Sequence, residues 1–143
     1  MRYLLDTNVL SELRKSVRLA DPGVRRWIGE RRASSLFISV ITVMELEVGI
    51  RRIERRDREQ AQRLRSWLED DVLEVFSERT LPVDLAVARQ AAQLHVPDPS
   101  PERDALIAAT AIVHELSVVT RNVADFDDRG VSVVNPWSAD RDS

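Results

Sequence analysis

The stretch RYLLDTNVLSELRK, residues 2–15, decides the fold. Its first four residues, RYLL at 2–5, form a short apolar run that stops at Asp6, and they read as a buried strand. The residues that follow, TNVLSELRK, place Val9, Leu10 and Leu13 on one side of a helix. A strand that passes directly into a helix is the opening half of a βαβ unit, so the question is whether the pattern repeats.

It does. An Ala-Asp-Pro-Gly break at 20–23 precedes a second helical segment carrying Val24, Trp27 and Ile28. SLFISV at 35–40 is rich in β-formers and reads as a second strand. From Thr42 onward Val43, Leu46, Ile50 and Ile53 recur at helical intervals, and residues 58–76 form the return arm of a helical hairpin. VDLAVARQAAQLH at 83–95 is another helix, and VPDPSP at 96–101 is a loop whose Pro101 suits a first helical position. ALIAATAIVHEL at 105–116 is apolar almost all round, so it is expected to be buried on most sides. SVVT at 117–120 and VSVV at 131–134 complete the strands. Continuous apolar strands alternating with helices predict an α/β three-layer sandwich. Its central parallel sheet has four or five strands, with helices on both faces. Ligands in such sheets gather beyond the carboxyl ends of the strands.

Composition narrows the class further. At 143 residues the chain fits one domain over 1–143, and 43% hydrophobic residues suffice for one core. The absence of cysteine removes disulfides and thiolate metal sites. The apolar run at the N-terminus is too short for a signal peptide or membrane span, so cytoplasmic residence with no membrane partner is the expectation. The net charge of −3 gives no general attraction to nucleic acid. Arginines do cluster in RRIERRDRE at 51–59, but Glu54, Asp57 and Glu59 lie among them, which favours a salt-bridged solvent face.

Three carboxylates occupy places where an acid is uncomfortable without a task. Asp6 ends the first strand, Glu45 lies inside VMELEV, and Asp104 opens the most apolar helix. Each has an ordinary account: Asp6 as a helix cap, Asp104 as a first-turn acid favoured by the helix dipole, and Glu45 as a solvated helix position. Together they project toward one sheet edge. Clustered carboxylates raise one another's pKa, a penalty that a divalent cation removes. With only His95 and His114 as nitrogen donors and no cysteine, all-oxygen ligation selects a hard ion, Mg²⁺ or Mn²⁺. Such an ion takes one or two carboxylates and leaves room for water and phosphate, as phosphodiester hydrolysis requires.

At these residues the chain resembles a known family. LLDTNVLSEL at 4–13, ITVMELEVGI at 41–50, DALIAATA at 104–111 and VVTRNVADF at 118–126 look like the successive motifs of PIN-domain ribonucleases, in particular VapC toxins. The likeness runs on to NPW at 135–137. It implies that Asp6, Glu45 and Asp104 are metal-binding catalytic acids of a Mg²⁺-dependent endoribonuclease, and that Thr7 and Asn8 orient the first acid. The family's fourth acid falls in a Thr-x-Asp element. Here Thr120-Arg121-Asn122 carries an amide instead, which leaves either three carboxylates or Asp125 as a substitute. Asp125 also reads as a turn residue. Arg121 is the candidate for steering an RNA phosphate. The resemblance further implies a homodimer and a VapB-like antitoxin partner.

Three other readings compete. A PIN fold with a decayed site, as Asn122 suggests, is a binding module that takes up no Mn²⁺. A PIN nuclease outside toxin–antitoxin systems is a second alternative. A receiver domain wants an acidic pair after the first strand and a late lysine, whereas here Asp6 is followed by Thr-Asn and the only lysine is Lys15.

Overall fold

The computed structural model describes residues 1–127 and 129–138. Five strands form one sheet in the order β3-β2-β1-β4-β5. They are β1 (Tyr3–Leu5), β2 (Leu36–Ser39), β3 (Thr80–Leu81), β4 (Ser117–Val119) and β5 (Val133–Val134). All pairings are parallel, with Tyr3 opposite Leu36, Leu5 opposite Val119, Ile38 opposite Thr80 and Val118 opposite Val133. From β1 the chain builds outward to β2 and β3, then returns to the other side of β1 as β4. This reversal is the place where open α/β sheets hold ligands.

Among the described residues six α-helices cover the sheet: α1 (Thr7–Arg14), α2 (Pro22–Gly29), α3 (Val40–Glu54), α4 (Arg58–Trp67), α5 (Leu85–Leu94) and α6 (Glu102–His114). Strand residues alternate between two cores. Leu5, Ile38 and Val119 pack with α1, α2 and α4, while Leu4 and Val118 pack with α6. Both faces are therefore dry, which is why the strands lack polar alternation. Asp21, Asp57 and Asp84 cap α2, α4 and α5, each side chain accepting from the backbone N–H three residues on at 3.0–3.1 Å.

The expected elements are present, with four differences. Helix α3 begins at Val40 rather than Thr42, because Ser39 accepts from the Ile41 N–H and serves as its cap. The return arm at 58–76 is not one α-helix. It widens into a π-helical turn over Leu68–Leu73. Leu64, Leu68, Val72 and Phe76 are all buried. A spacing of four drifts about 40° per step on an α-helix, and the wider i→i+5 turn takes that drift back, holding the row on the core. Strand β3, which has no apolar run, is an edge strand ended by Pro82. It is secured by the Ile38 N–H donating to the Arg79 carbonyl (3.0 Å) and by the Arg79 guanidinium donating to the Leu36, Val75 and Ala33 carbonyls. Pro101 lies just outside α6, at its cap rather than at its first helical position.

Two contacts fasten the periphery. Arg65 of α4 reaches Glu47 (3.2 Å) and Glu54 (3.9 Å) of α3, and Arg51 also pairs with Glu47 (3.4 Å), so part of the arginine-rich face is salt-bridged. Ser138 donates to Asp21 from both its N–H (3.0 Å) and its hydroxyl (2.9 Å), drawing the chain after β5 against α2. Gly23 makes that approach possible: a Cβ there would stand 2.6 Å from the Ser138 nitrogen and 2.7 Å from the Pro136 carbonyl.

Candidate active site

Asp6 is the residue after β1, and its N–H extends the sheet ladder to the Val119 carbonyl at 2.9 Å. Its backbone is extended and its side chain accepts from the Thr7 N–H at 2.8 Å, so it also caps α1. The cap and the site acid are one residue. Its other carboxylate oxygen accepts from the Thr120 hydroxyl at 2.8 Å. Thr120 is fully buried just beyond β4, and its Oγ1 in turn accepts from the Asn8 amide (3.1 Å) and the Asn122 N–H (3.0 Å). The two central strands thus end in a polar knot that fixes the carboxylate from both sides.

Glu45 enters from the second turn of α3. Its Oε1 accepts from the Thr7 hydroxyl at 2.7 Å, and its Oε2 faces the Arg103 guanidinium at 3.8 Å. Thr7 therefore links two acids, its N–H on Asp6 and its hydroxyl on Glu45. Asn8 reaches Asp6 through Thr120, its amide donating to the Thr120 hydroxyl oxygen. Asp104 projects from the first turn of α6. All three acids line one cleft of about 430 Å³, with Thr7, Asn8, Ser11, Arg121, Asn122 and Trp137 among its walls.

The acids feel one another. Asp6 is only 8% exposed. Burial raises its pKa above the ordinary value. The hydrogen bonds from Thr120 and the Thr7 amide pull it back in part, while the charges of Glu45 and Asp125 push it further up. Asp104 is raised first by burial, then by Asp125 and Asp6, against a smaller opposing pull from Arg129. Asp125 ends a short 3₁₀ turn after β4, beside a smaller cavity of about 260 Å³ shared with Ser100 and Arg129. Of the two fourth-position candidates, Asn122 is in the cleft wall, whereas Asp125 supplies the charge that acts on Asp6 and Asp104.

Arg121 lines the cleft with its guanidinium 5.6 Å from the Trp137 ring. Sequence reasoning missed Arg103, Trp137 and the buried Glu12. Glu12 takes a hydrogen bond from Lys15 (2.9 Å) and another from the Asp21 N–H (2.8 Å). Its place between Leu10 and Leu13 on α1 was the available signal. His95 Nδ1 accepts from the Ser100 N–H at the end of α5.

The model of the PIN domain matches residues 3–130. The chain belongs to the PIN-domain family. It is 36% identical over 139 residues to VapC ribonuclease Y4jK of Sinorhizobium fredii, covering 94% of this chain and 96% of that protein. The crystal structure of FitAcB from Neisseria gonorrhoeae superposes with a TM-score of 0.83 at 34% identity, over 95% of this chain and 99% of that one. A toxin–antitoxin complex from Klebsiella pneumoniae gives a TM-score of 0.68 at 29% identity, over 94% and 98% of the two chains.

The PIN domain's cleft offers oxygen donors to a hard cation. Among the described residues no three acids or histidines form a ready-made metal cage. A hexacoordinate Mg²⁺ does not ask for one, because it takes one or two carboxylates and completes its shell with water and phosphate. Two acids with pKa values raised partly by neighbouring carboxylates are a donor set that a cation relieves. A larger cavity of about 530 Å³, which shares Lys15 with the acidic cleft, is lined by Leu10, Ile28, Trp67 and Phe76 together with Arg25, Arg79 and Asp71. Among the described residues no helix is long and apolar enough to cross a membrane.

Proposed function

We propose that this PIN domain is a Mg²⁺- or Mn²⁺-dependent endoribonuclease, the toxin of a toxin–antitoxin pair, with Asp6, Glu45 and Asp104 as its catalytic acids and metal ligands. The observation that carries the reading is the single cleft into which β1, α3 and α6 deliver these acids, with Thr7 bonded to both Asp6 and Glu45. When bound, the cation supplies an activated water and neutralises charge developing on the scissile phosphate. Thr120 and the Thr7 amide hold the Asp6 carboxylate in one orientation, so little is spent reorganising it during reaction. Asp125 is the fourth acid of this reading, because its charge reaches both Asp6 and Asp104. Arg121 flanks the cleft and steers the RNA backbone, a task that suits the guanidinium fork.

The similarity to a VapC ribonuclease and to a toxin–antitoxin complex supports RNA as substrate and a VapB-like antitoxin as partner; a cytoplasmic homodimer is the setting of this proposal. The 530 Å³ groove suits an antitoxin segment that combines apolar side chains with a carboxylate. Its lining combines apolar side chains with Arg14, Arg25, Arg31 and Arg79 against the one acid Asp71.

The test is Asp6→Asn and Asp104→Asn in a fluorogenic RNA assay with Mg²⁺, paired with Mn²⁺ calorimetry and circular dichroism. Both variants are expected to remain folded while losing cleavage and weakening Mn²⁺ uptake. Full cleavage by both variants refutes the site. One observation favours a second reading: the cleft wall carries the neutral Asn122 where the family has an acid. A decayed binding module predicts no Mn²⁺ uptake by the wild-type protein, so the same titration separates the two.

A further inference from the structure

Arg103 stands where no metal ligand or helix-capping role explains it. It occupies the first turn of α6 beside Asp104, its side chain is 48% exposed, and its partner is Glu45 at 3.8 Å. That distance is too long for a hydrogen bond, and a half-exposed ion pair contributes little to stability. The contact is therefore loose, and its significance lies in which acid it engages. One oxygen of Glu45 is taken by the Thr7 hydroxyl and the other faces this guanidinium. Of the neighbouring cations, Lys15 pairs with Glu12 at 2.9 Å, Arg129 Nε donates to the Asp125 carbonyl at 2.6 Å, and Arg121 lies over the Trp137 ring.

We propose that Arg103 is an exchangeable cation that occupies Glu45 in the metal-free cleft, yields it when a divalent ion enters, and then binds the RNA backbone phosphate next to the scissile one. The inference rests on the metal-dependent reading above and assigns a residue which that reading leaves unused. Like charges repel strongly in a partly buried cleft, so a divalent ion shared with Glu45 displaces the guanidinium. The released fork presents paired N–H donors to a phosphate, the geometry that arginine matches and lysine does not. Arg103 thus weakens metal binding before RNA arrives and strengthens RNA binding afterwards. Metal and RNA become positively coupled through one side chain.

The test compares wild type, Arg103→Gln and Arg103→Lys by Mn²⁺ calorimetry without RNA and by initial cleavage rates on a single-stranded RNA oligonucleotide. For Arg103→Gln, Mn²⁺ affinity should tighten about threefold, the scale of one partly exposed ion pair. Its KM should rise about tenfold, the scale of one charge-assisted contact, with kcat changing less. Arg103→Lys keeps the charge, so its Mn²⁺ affinity should match wild type while its KM falls between the other two. A structural role alone would not produce opposite shifts in metal and RNA binding. Unchanged or weaker Mn²⁺ affinity in Arg103→Gln, or an unchanged KM, overturns the exchange while leaving the nuclease reading intact. A wild-type protein that takes up no Mn²⁺ overturns the nuclease reading itself, and the exchange with it.

Discussion

Replacing Thr120 by valine isolates the bond that orients Asp6. Valine has nearly the same shape as threonine, and Thr120 is fully buried, so the change opens no cavity. It deletes a hydroxyl that donates to the Asp6 carboxylate at 2.8 Å and accepts from Asn8 at 3.1 Å and from the Asn122 N–H at 3.0 Å. A hydrogen bond to a charged group is worth about 1.5–3 kcal/mol, and a part-buried amide left without an acceptor adds about 1 kcal/mol. We expect a loss near 3 kcal/mol at neutral pH. The pH dependence is the sharper part. Burial already holds the folded pKa of Asp6 above its unfolded value, and the Thr120 bond opposes that rise. Without the bond the folded pKa climbs further, and the ionised acid becomes a larger burden on the fold. The deficit should be complete where Asp6 is ionised. It should shrink as pH falls from the variant's folded pKa to the lower wild-type folded pKa, because protonation removes the charge that the bond serves and the unfolded pKa is common to both proteins. Urea unfolding in EDTA at neutral and at mildly acidic pH measures both values. A deficit equal at the two pH values, or below about 1 kcal/mol at neutral pH, refutes this account of the Thr120–Asp6 bond.

Other substitutions probe the frame around the cleft. Gly23→Ala should destabilise by about 1–3 kcal/mol in urea melts through overpacking, since the new Cβ meets the backbone of Pro136 and Ser138. Glu115 ends α6 in the left-handed region at φ 57° and is exposed; Glu115→Gly should raise stability by about 0.5–1 kcal/mol, measured as a higher urea midpoint. Asp21 shows the opposite linkage to Asp6: burial raises its pKa, but the bonds from Ser138, Val24 and Gly23 outweigh it and leave the pKa below the ordinary 3.8. Asp21→Asn should therefore lose about 1–2 kcal/mol at neutral pH. That loss should persist down to pH 3.8 and vanish as pH falls through the lower folded pKa, which acid titration of the unfolding free energy will show.

The parts of this fold that sequence reveals are those written in local pattern. The runs at 2–5, 35–40 and 117–120 are apolar without alternation because neighbouring residues such as Leu4 and Leu5 enter opposite cores. Asp21, Asp57 and Asp84 announce helix starts because an aspartate can satisfy an otherwise unpaired N–H. Asp6 at a strand end, Glu45 among the apolar neighbours of VMELEV and Asp104 at a helix start were legible in the sequence, and one cleft gathers the three. What local pattern does not encode is direction over long separations. That the Thr7 hydroxyl turns to Glu45 depends on where α3 passes, and that Arg103 faces Glu45 depends on how α6 packs. Strand β3 escapes because two residues carry no period, and the π turn escapes because its cause is the match between a four-residue row and a flat core.

The bond between Thr120 and Asp6 joins residues 114 positions apart. Closing so long a loop is entropically expensive and slow, and only the completed sheet repays it. Fragments that stop short of β4 contain Asp6, Glu45 and Asp104 in sequence but lack the hydroxyl that pins the first of them. If Asp6 carries the chemistry proposed for it, cleavage competence is bound to the folding of the chain through β4, because only then is its carboxylate held by Thr120.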